Sequence, residues 1–209
     1  TAILANTYRS KQYLKYFIKK NLKPTEIIFF HDGKTNLLSN YISKLNTKIK
    51  IFKNNILDDK LVVKYILKSK SKFFLYSGYP GYVIKNKILL KKKKFLHAHP
   101  GKLPDYKGST TLFYSILKSN KVYCTTMLLN DKIDEGKKIN QIKYKIKCNN
   151  IKNFEIYDAN IRAKTLYDAF IKIKMGEKIF KKIKNKSKNN YYFVAHPIIR
   201  YLAKNKICN

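Results

Sequence analysis

Six short apolar runs, each of strand length, recur along the first 130 residues, and most are followed by a stretch whose apolar residues repeat every three or four positions. The runs cover residues 3–5, 26–31, 48–52, 73–77, 94–99 and 122–129. Between them, Leu14, Phe17 and Ile18 share one helical face behind a possible Ser10 cap, and Leu38, Tyr41, Ile42 and Leu45 share another after the Asp32-Gly33 turn. Further helices are expected over 58–68 and, capped by Ser109, around Phe113, Ile116 and Leu117. Such alternation predicts an α/β fold: a Rossmann-like, mostly parallel sheet with helices on both faces. In such sheets ligands gather at the carboxyl ends of strands, which here means near Gly78, His99 and Asn130.

A longer helix is expected over 154–174, burying Tyr157, Ile161, Leu166, Phe170 and Ile173 and stopped by Gly176. The Lys- and Asn-rich stretch that follows, to Asn190, reads as solvated loop. From Tyr191 the apolar character returns. The division expected is one domain over 1–176 and a C-terminal extension over 177–209 that packs back on it.

Composition removes several classes of function. With 44% hydrophobic and 14% aromatic residues among 209, the chain can bury a core, so it is not a disordered polycation. The net charge of +34 raises nucleic acid as a partner. All but three of the 46 cationic residues are lysine, however, and they are dispersed along the chain. Phosphate and base readers favour arginine, so no specific nucleic-acid binding is expected. No apolar run approaches the ~20 residues needed to cross a bilayer. Neither a membrane span nor a signal peptide is read from the sequence, and the expected location is the cytoplasm. Cys124, Cys148 and Cys208 are an odd, widely spaced set without CxxC, read as reduced thiols, with Cys124 a small core residue. The lysines at 91–94 read as a solvated helix end.

The chemistry concentrates in two places. His97 and His99, two of only four histidines, are two residues apart on one strand and share a face at its end, ahead of a Pro- and Gly-rich loop. After the 122–129 run, the segment 130–136 holds Asp131, Asp134 and Glu135, three of the chain's 12 acids. A same-face His-x-His with an aspartate is open to two readings from the residues alone. It supplies ligands for a zinc hydrolase, or it supplies hydrogen-bond donors and a proton acceptor for group transfer.

The segment His99-Pro100, Leu103-Pro104-Asp105-Tyr106-Lys107-Gly108 and then Asp134-Glu135-Gly136 resembles the signature of the folate-dependent formyltransferases. In that family an Asn-x-His-Pro strand end leads into Leu-Pro-x-Tyr-x-Gly, and an Asp-x-Gly loop follows roughly 35 residues on. The resemblance is good over about residues 73–140. It implies catalytic roles for His99 and Asp134, and it places His97 where the family has Asn. It also implies a folate pocket at Tyr79, Pro80, Gly81, Tyr82 and Val83, with Lys132 and Ile133 contributing.

What the resemblance implies is transfer of the formyl group of 10-formyltetrahydrofolate to the amine of a small acceptor, without a metal. His99 would donate to the oxyanion and Asp134 would orient it and take the amine proton, while a neutral His97 presents one N–H in place of an amide. Within the family, the expected acceptor follows from what the chain lacks. Residues 6–10 hold no phosphate-cradling glycines, and 209 residues leave no room for a tRNA-binding domain. The expected acceptor is therefore a nucleotide-linked amino sugar of cell-surface polysaccharide synthesis, met by Tyr8 on the base and Arg9 on the diphosphate. A formyl-folate hydrolase and an inactive folate-binding relic are the neighbouring alternatives. The C-terminal aromatic segment offers a surface for a homodimer.

Overall fold

The computed structural model describes residues 1–53, 56–176 and 191–208. In chain order its elements are β1 (Ala2–Ala5), α1 (Tyr8–Lys19), β2 (Glu26–His31), α2 (Ser39–Ile42), β3 (Lys48–Lys53), α3 (Lys60–Lys68), β4 (Phe73–Ser77), α4 (Lys87–Lys92) and β5 (Lys94–His99). These are followed by β6 (Lys107–Gly108), α5 (Thr111–Ser119), β7 (Val122–Leu128), β8 (Lys137–Tyr144), α6 (Cys148–Lys152), α7 (Phe154–Lys174), β9 (Tyr191–Tyr192) and α8 (Pro197–Cys208). Seven strands form one sheet in the order β3-β2-β1-β4-β5-β7-β8, and β6 pairs with β9 in a second, two-stranded one. Strands β1 to β5 pair in parallel and β7 with β8 antiparallel, so the mostly parallel α/β architecture expected from the alternation is the one observed. The chain divides into two compact units, Thr1–His97 with Leu129–Asp131, and Ala98–Leu128 with Lys132–Asn209.

In the first unit β1 and the middle of β2 are buried throughout, because strands covered on both faces read as continuous apolar runs. Ile3, Ile28, Phe30, Val62, Ile66, Phe74 and Phe95 belong to one core cluster, with the Phe74 and Phe95 rings stacked at 5.6 Å between centroids. Each such side chain contributes about 1.5–3 kcal/mol relative to leaving it exposed. Thr7, rather than Ser10, caps α1, its hydroxyl accepting from the Ser10 N–H at 3.2 Å. The chain turns immediately after β1, and this carries Ser10 one turn inward, where its hydroxyl meets that of Ser77 at 2.8 Å. Helix α2 is a single turn, shorter than its apolar spacing predicts. In the 91–94 run, Lys91 and Lys92 are exposed at the end of α4 as expected, and the other two lysines depart from that reading. Lys93 is buried and donates to the Ser69 and Ser71 carbonyls at 2.5 and 3.0 Å, and Lys94 already begins β5.

In the second unit the strand β8, whose alternation is weak, was not expected from the sequence; it pairs with β7 through a register shift at Thr126/Met127. Helix α7 buries Ala159, Ile161, Ala163, Thr165, Leu166 and Ala169, whereas Tyr157, Phe170 and Ile173 are only partly buried. Small residues on this face let the helix approach the hairpin closely, and Thr165 accepts from Asn140 Nδ2 through its carbonyl at 3.1 Å. Helix α5 is entered through Thr110 in a left-handed conformation with no side-chain cap, so Ser109 does not cap it. The expectation of three reduced thiols is overturned, since Cys148 and Cys208 form a disulfide across 60 residues. Spacing gave no sign of it because α6 and α8 come together only in the folded unit. Cys124 is the free, buried thiol. The stretch read as solvated loop up to Asn190 lies outside the described residues.

Candidate active site

Strand β5 ends at His99, and the chain then folds over its own last side chain. Gly101 makes this possible: a Cβ there would lie 2.7 Å from His99 Nε2 and 2.8 Å from the Tyr106 carbonyl oxygen. The loop closes with Thr125 Oγ1 donating to the Gly101 carbonyl at 2.6 Å and Thr111 Oγ1 donating to that of Pro100. The result is a histidine only 3% exposed with both ring nitrogens engaged. Nε2 lies 2.7 Å from the Tyr106 carbonyl, which can only accept, so Nε2 carries the hydrogen. Nδ1 lies 3.3 Å from Asp134 Oδ2.

Asp134 occupies the left-handed region at φ 53°, a conformation that non-glycine residues adopt at a cost. Its Oδ2 also accepts from the Gly108 N–H at 2.7 Å. The neighbouring Glu135 takes two further partners on Oε1: Lys107 Nζ at 2.9 Å and the Tyr191 hydroxyl at 2.6 Å. Consecutive residues 107 and 108 thus hold consecutive residues 135 and 134. On α7, Arg162 is paired with Asp158 at 2.9 Å and donates from Nη1 to the Ala98 carbonyl at 3.1 Å, pinning the residue between the two histidines.

Most of the remaining candidates fall in the first unit. His97 is partly buried, its ring centroid 6.2 Å from that of Tyr76 and its Nδ1 3.4 Å from the Tyr76 carbonyl. Tyr8 and Arg9 open α1 as expected. Arg9 donates from Nε to Ser77 Oγ at 3.2 Å and from Nη2 to the Gly78 carbonyl, so it is tied to the end of β4. In the loop after β4, Tyr79 donates its hydroxyl to the Phe30 carbonyl at 3.2 Å, and the Tyr82 hydroxyl accepts the Asp58 N–H at 3.0 Å. Burial pushes both phenols above their ordinary range, with nearby Asp32 and Asp58 adding to the effect. Pro80 and Gly81 are exposed at the tip and Val83 is half-buried. Lys132 and Ile133, in the second unit, are exposed.

The structure therefore brings together His99 and Asp134, as the sequence predicts. Gly108, Lys107, Glu135, Arg162 and Tyr191 escaped the sequence reading as site residues. Lys107 and Gly108 carried a signal inside the Pro-x-Tyr-x-Gly motif, and Glu135 inside the Asp-x-Gly loop; Arg162 and Tyr191 carried none. Among the described residues no group of three or more His, Cys, Asp or Glu gathers as a metal site.

Comparison with solved structures decides the fold. A sugar N-formyltransferase from Shewanella sp. matches with TM-score 0.63 over 99% of this chain and 86% of that one, at 14% identity. The fold is a formyltransferase fold. An N-formyltransferase from Helicobacter canadensis, crystallised with folinic acid and dTDP-3-aminofucose, matches with TM-score 0.63 at 18% identity over 92% of this chain and 70% of its own. Glycinamide ribonucleotide transformylase 1 from Symbiobacterium toebii gives TM-score 0.66 at 12% identity over 88% and 92%. No family model matches the chain, and no curated protein matches its sequence.

Proposed function

We propose that the chain is an N-formyltransferase that moves the formyl group of 10-formyltetrahydrofolate to the amine of a nucleotide-linked amino sugar. The observation that carries this reading is the contact of His99 Nδ1 with Asp134 Oδ2 at 3.3 Å, made by the two residues of the motif within a formyltransferase fold. The sugar acceptor is favoured by the Helicobacter canadensis neighbour, which holds a folate and an amino-sugar nucleotide. No helix among the described residues is long and apolar enough to cross a membrane.

In the proposed reaction the acceptor nitrogen attacks the formyl carbon, a carbon–nitrogen bond forms, and the bond from that carbon to N10 of the folate breaks. The amine gives up a proton and N10 gains one on leaving. Asp134, whose side chain is 12% exposed, is the acceptor of the amine proton, and His99 shares the charge. His99 is proposed to donate to the developing oxyanion, which it reaches by sharing the Nε2 hydrogen given to Tyr106. The loop from Tyr79 to Val83, with Lys132 and Ile133, is proposed to meet the folate. Tyr8 is proposed to meet the nucleotide base. Arg9, held by Ser77 and Gly78, offers the diphosphate a fixed positive charge.

The test is release of tetrahydrofolate from 10-formyltetrahydrofolate with a panel of amino-sugar nucleotides. Release that depends on the acceptor supports transfer; release without acceptor favours the hydrolase alternative; absence of folate binding contradicts both.

A further inference from the structure

Strand order reverses at one place in the first unit. From β1 the sheet grows outward through β2 to β3, and the chain then returns to lay β4 on the other side of β1. Ligands of open α/β sheets sit outside the carboxyl ends of the strands at such a switch point. Here the ends of β2, β1 and β4 are tied together, because the Phe30 carbonyl accepts both the Asn6 N–H at 3.0 Å and the Tyr79 hydroxyl at 3.2 Å. Arg9 is fixed on the β4 side of β1 by Ser77 and Gly78. Asp32 is fixed on the β2 side.

Asn6 is only 7% exposed, and its amide is given over to the loop after β2. Its Nδ2 donates to Asp32 Oδ1 at 2.8 Å and to the Thr35 carbonyl at 3.1 Å, while its Oδ1 accepts the Leu37 N–H at 3.0 Å. The turn is pinned on both sides of the aspartate. The Gly33 N–H donates to His31 Nδ1 at 3.0 Å, and the Lys34 N–H to Asp32 Oδ1 at 3.3 Å. The bond from Asn6 holds the Asp32 carboxyl below its ordinary range, so it is ionised at neutral pH. An ionised carboxylate only accepts, and its two oxygens offer about four sites, so the bonds on Oδ1 leave it capacity for a ligand. Such a group repels phosphate and binds hydroxyls that donate.

We propose that Asp32 is a specificity-determining residue for the acceptor: it binds the 2′- and 3′-hydroxyls of a ribose, so that the acceptor is a ribonucleotide sugar with its diphosphate toward Arg9. The proposal rests on the nucleotide-linked acceptor of the proposed function and narrows it to one class of nucleotide. Two strand spacings, about 10 Å, separate the strand ends that anchor Asp32 and Arg9, a distance that a ribose and a diphosphate span together. The opposite charges fix the direction, since a reversed nucleotide would set phosphate against carboxylate.

The experiment measures by calorimetry, without folate, the binding of nucleoside diphosphates in ribo and 2′-deoxy pairs: UDP with dUDP, GDP with dGDP and ADP with dADP. The proteins are wild type, Asp32→Ala and Arg9→Gln. For the base that binds tightest, wild type is expected to favour the ribo form by about tenfold, the low end for a hydrogen bond to a charged group. Asp32→Ala is expected to bring that ratio to within about twofold while the deoxy form binds much as it does to wild type. Arg9→Gln is expected to weaken both forms together and to leave the ratio unchanged. Equal binding of the two forms to wild type overturns the proposal and leaves the nucleotide-linked acceptor standing, as does a ribo preference that survives in Asp32→Ala. If Asp32→Ala does not fold, Asp32→Asn keeps an oxygen for Asn6 and decides instead: a ratio of about threefold or less supports the proposal, and the wild-type ratio overturns it. If wild type binds none of the six, the nucleotide-linked acceptor and this proposal fail together, whereas formyl transfer itself is judged by tetrahydrofolate release.

Discussion

Nδ1 of His99 and the Gly108 backbone N–H converge on one oxygen of Asp134, at 3.3 and 2.7 Å. The aspartate is thus fixed by the backbone on one side and faces an imidazole on the other. Asp134→Asn keeps the shape and an acceptor for Gly108 but removes the charge proposed to take the amine proton. It is expected to lower kcat by about 10²–10⁴-fold, the usual range for a general base, with folate KM little changed. Stopped-time assay of tetrahydrofolate release measures this directly; wild-type kcat in Asp134→Asn would remove Asp134 from the mechanism.

Gly108 is the hinge of that arrangement. Its φ is +100°, and a Cβ would stand 2.2 Å from the Tyr192 carbonyl oxygen. Gly108→Ala is expected to force β9 away from β6 and to destabilise the fold by about 2–4 kcal/mol. A thermal melt that matches wild type would show that β6 and β9 are not held as described.

By the motif resemblance alone, His97 corresponds to the family's Asn. An Asn amide, like a neutral imidazole, can present one N–H to a carbonyl oxygen. His97→Asn is expected to keep folate-dependent turnover. A large rise in transfer over wild type would mean that the native chain has drifted to another task.

The sequence was most legible where one face of an element had one job. Strand β4 and the limits of β5 follow from apolar runs, and the site from two strand-end motifs. It was least legible where meaning depended on distant partners. Lys93 looked like part of a solvated run because lysine is everywhere in this chain; two carbonyls from the turn before β4 bury it. Glu135 and Tyr191, 56 residues apart, share one hydrogen bond that no local pattern announces. The face of α7 was read by the size of its apolar side chains, whereas close packing selected alanines.

Burial raises the Cys124 thiol to about 12, outweighing the hydrogen bond with Thr165 that lowers it. A raised value keeps the thiol protonated at pH 8, and the thiolate is the reactive form. Without reductant, native protein is expected to show no thiol reactive to a maleimide or disulfide reagent at pH 8. After reduction two should react, Cys148 and Cys208. Rapid labelling of Cys124 in the folded protein would contradict its burial.

The Cys148–Cys208 disulfide spans 60 residues and joins α6 to the end of α8. Closing a loop of that length stabilises the fold by about 4 kcal/mol on the chain-entropy account. Cys148→Ser, or reductant added to wild type, is expected to lower Tm measurably, by several degrees. Equal melting temperatures in oxidised and reduced protein would show that α8 is held by its other contacts alone, among them the Lys206 bond to the Leu117 carbonyl at 2.7 Å.

The central claim is most directly tested by following tetrahydrofolate release from 10-formyltetrahydrofolate in wild type and Asp134→Asn, with and without amino-sugar nucleotides. The account predicts release that requires an acceptor in wild type and is lost in Asp134→Asn. Acceptor-dependent release that survives Asp134→Asn, or no release from wild type with any acceptor, would contradict it.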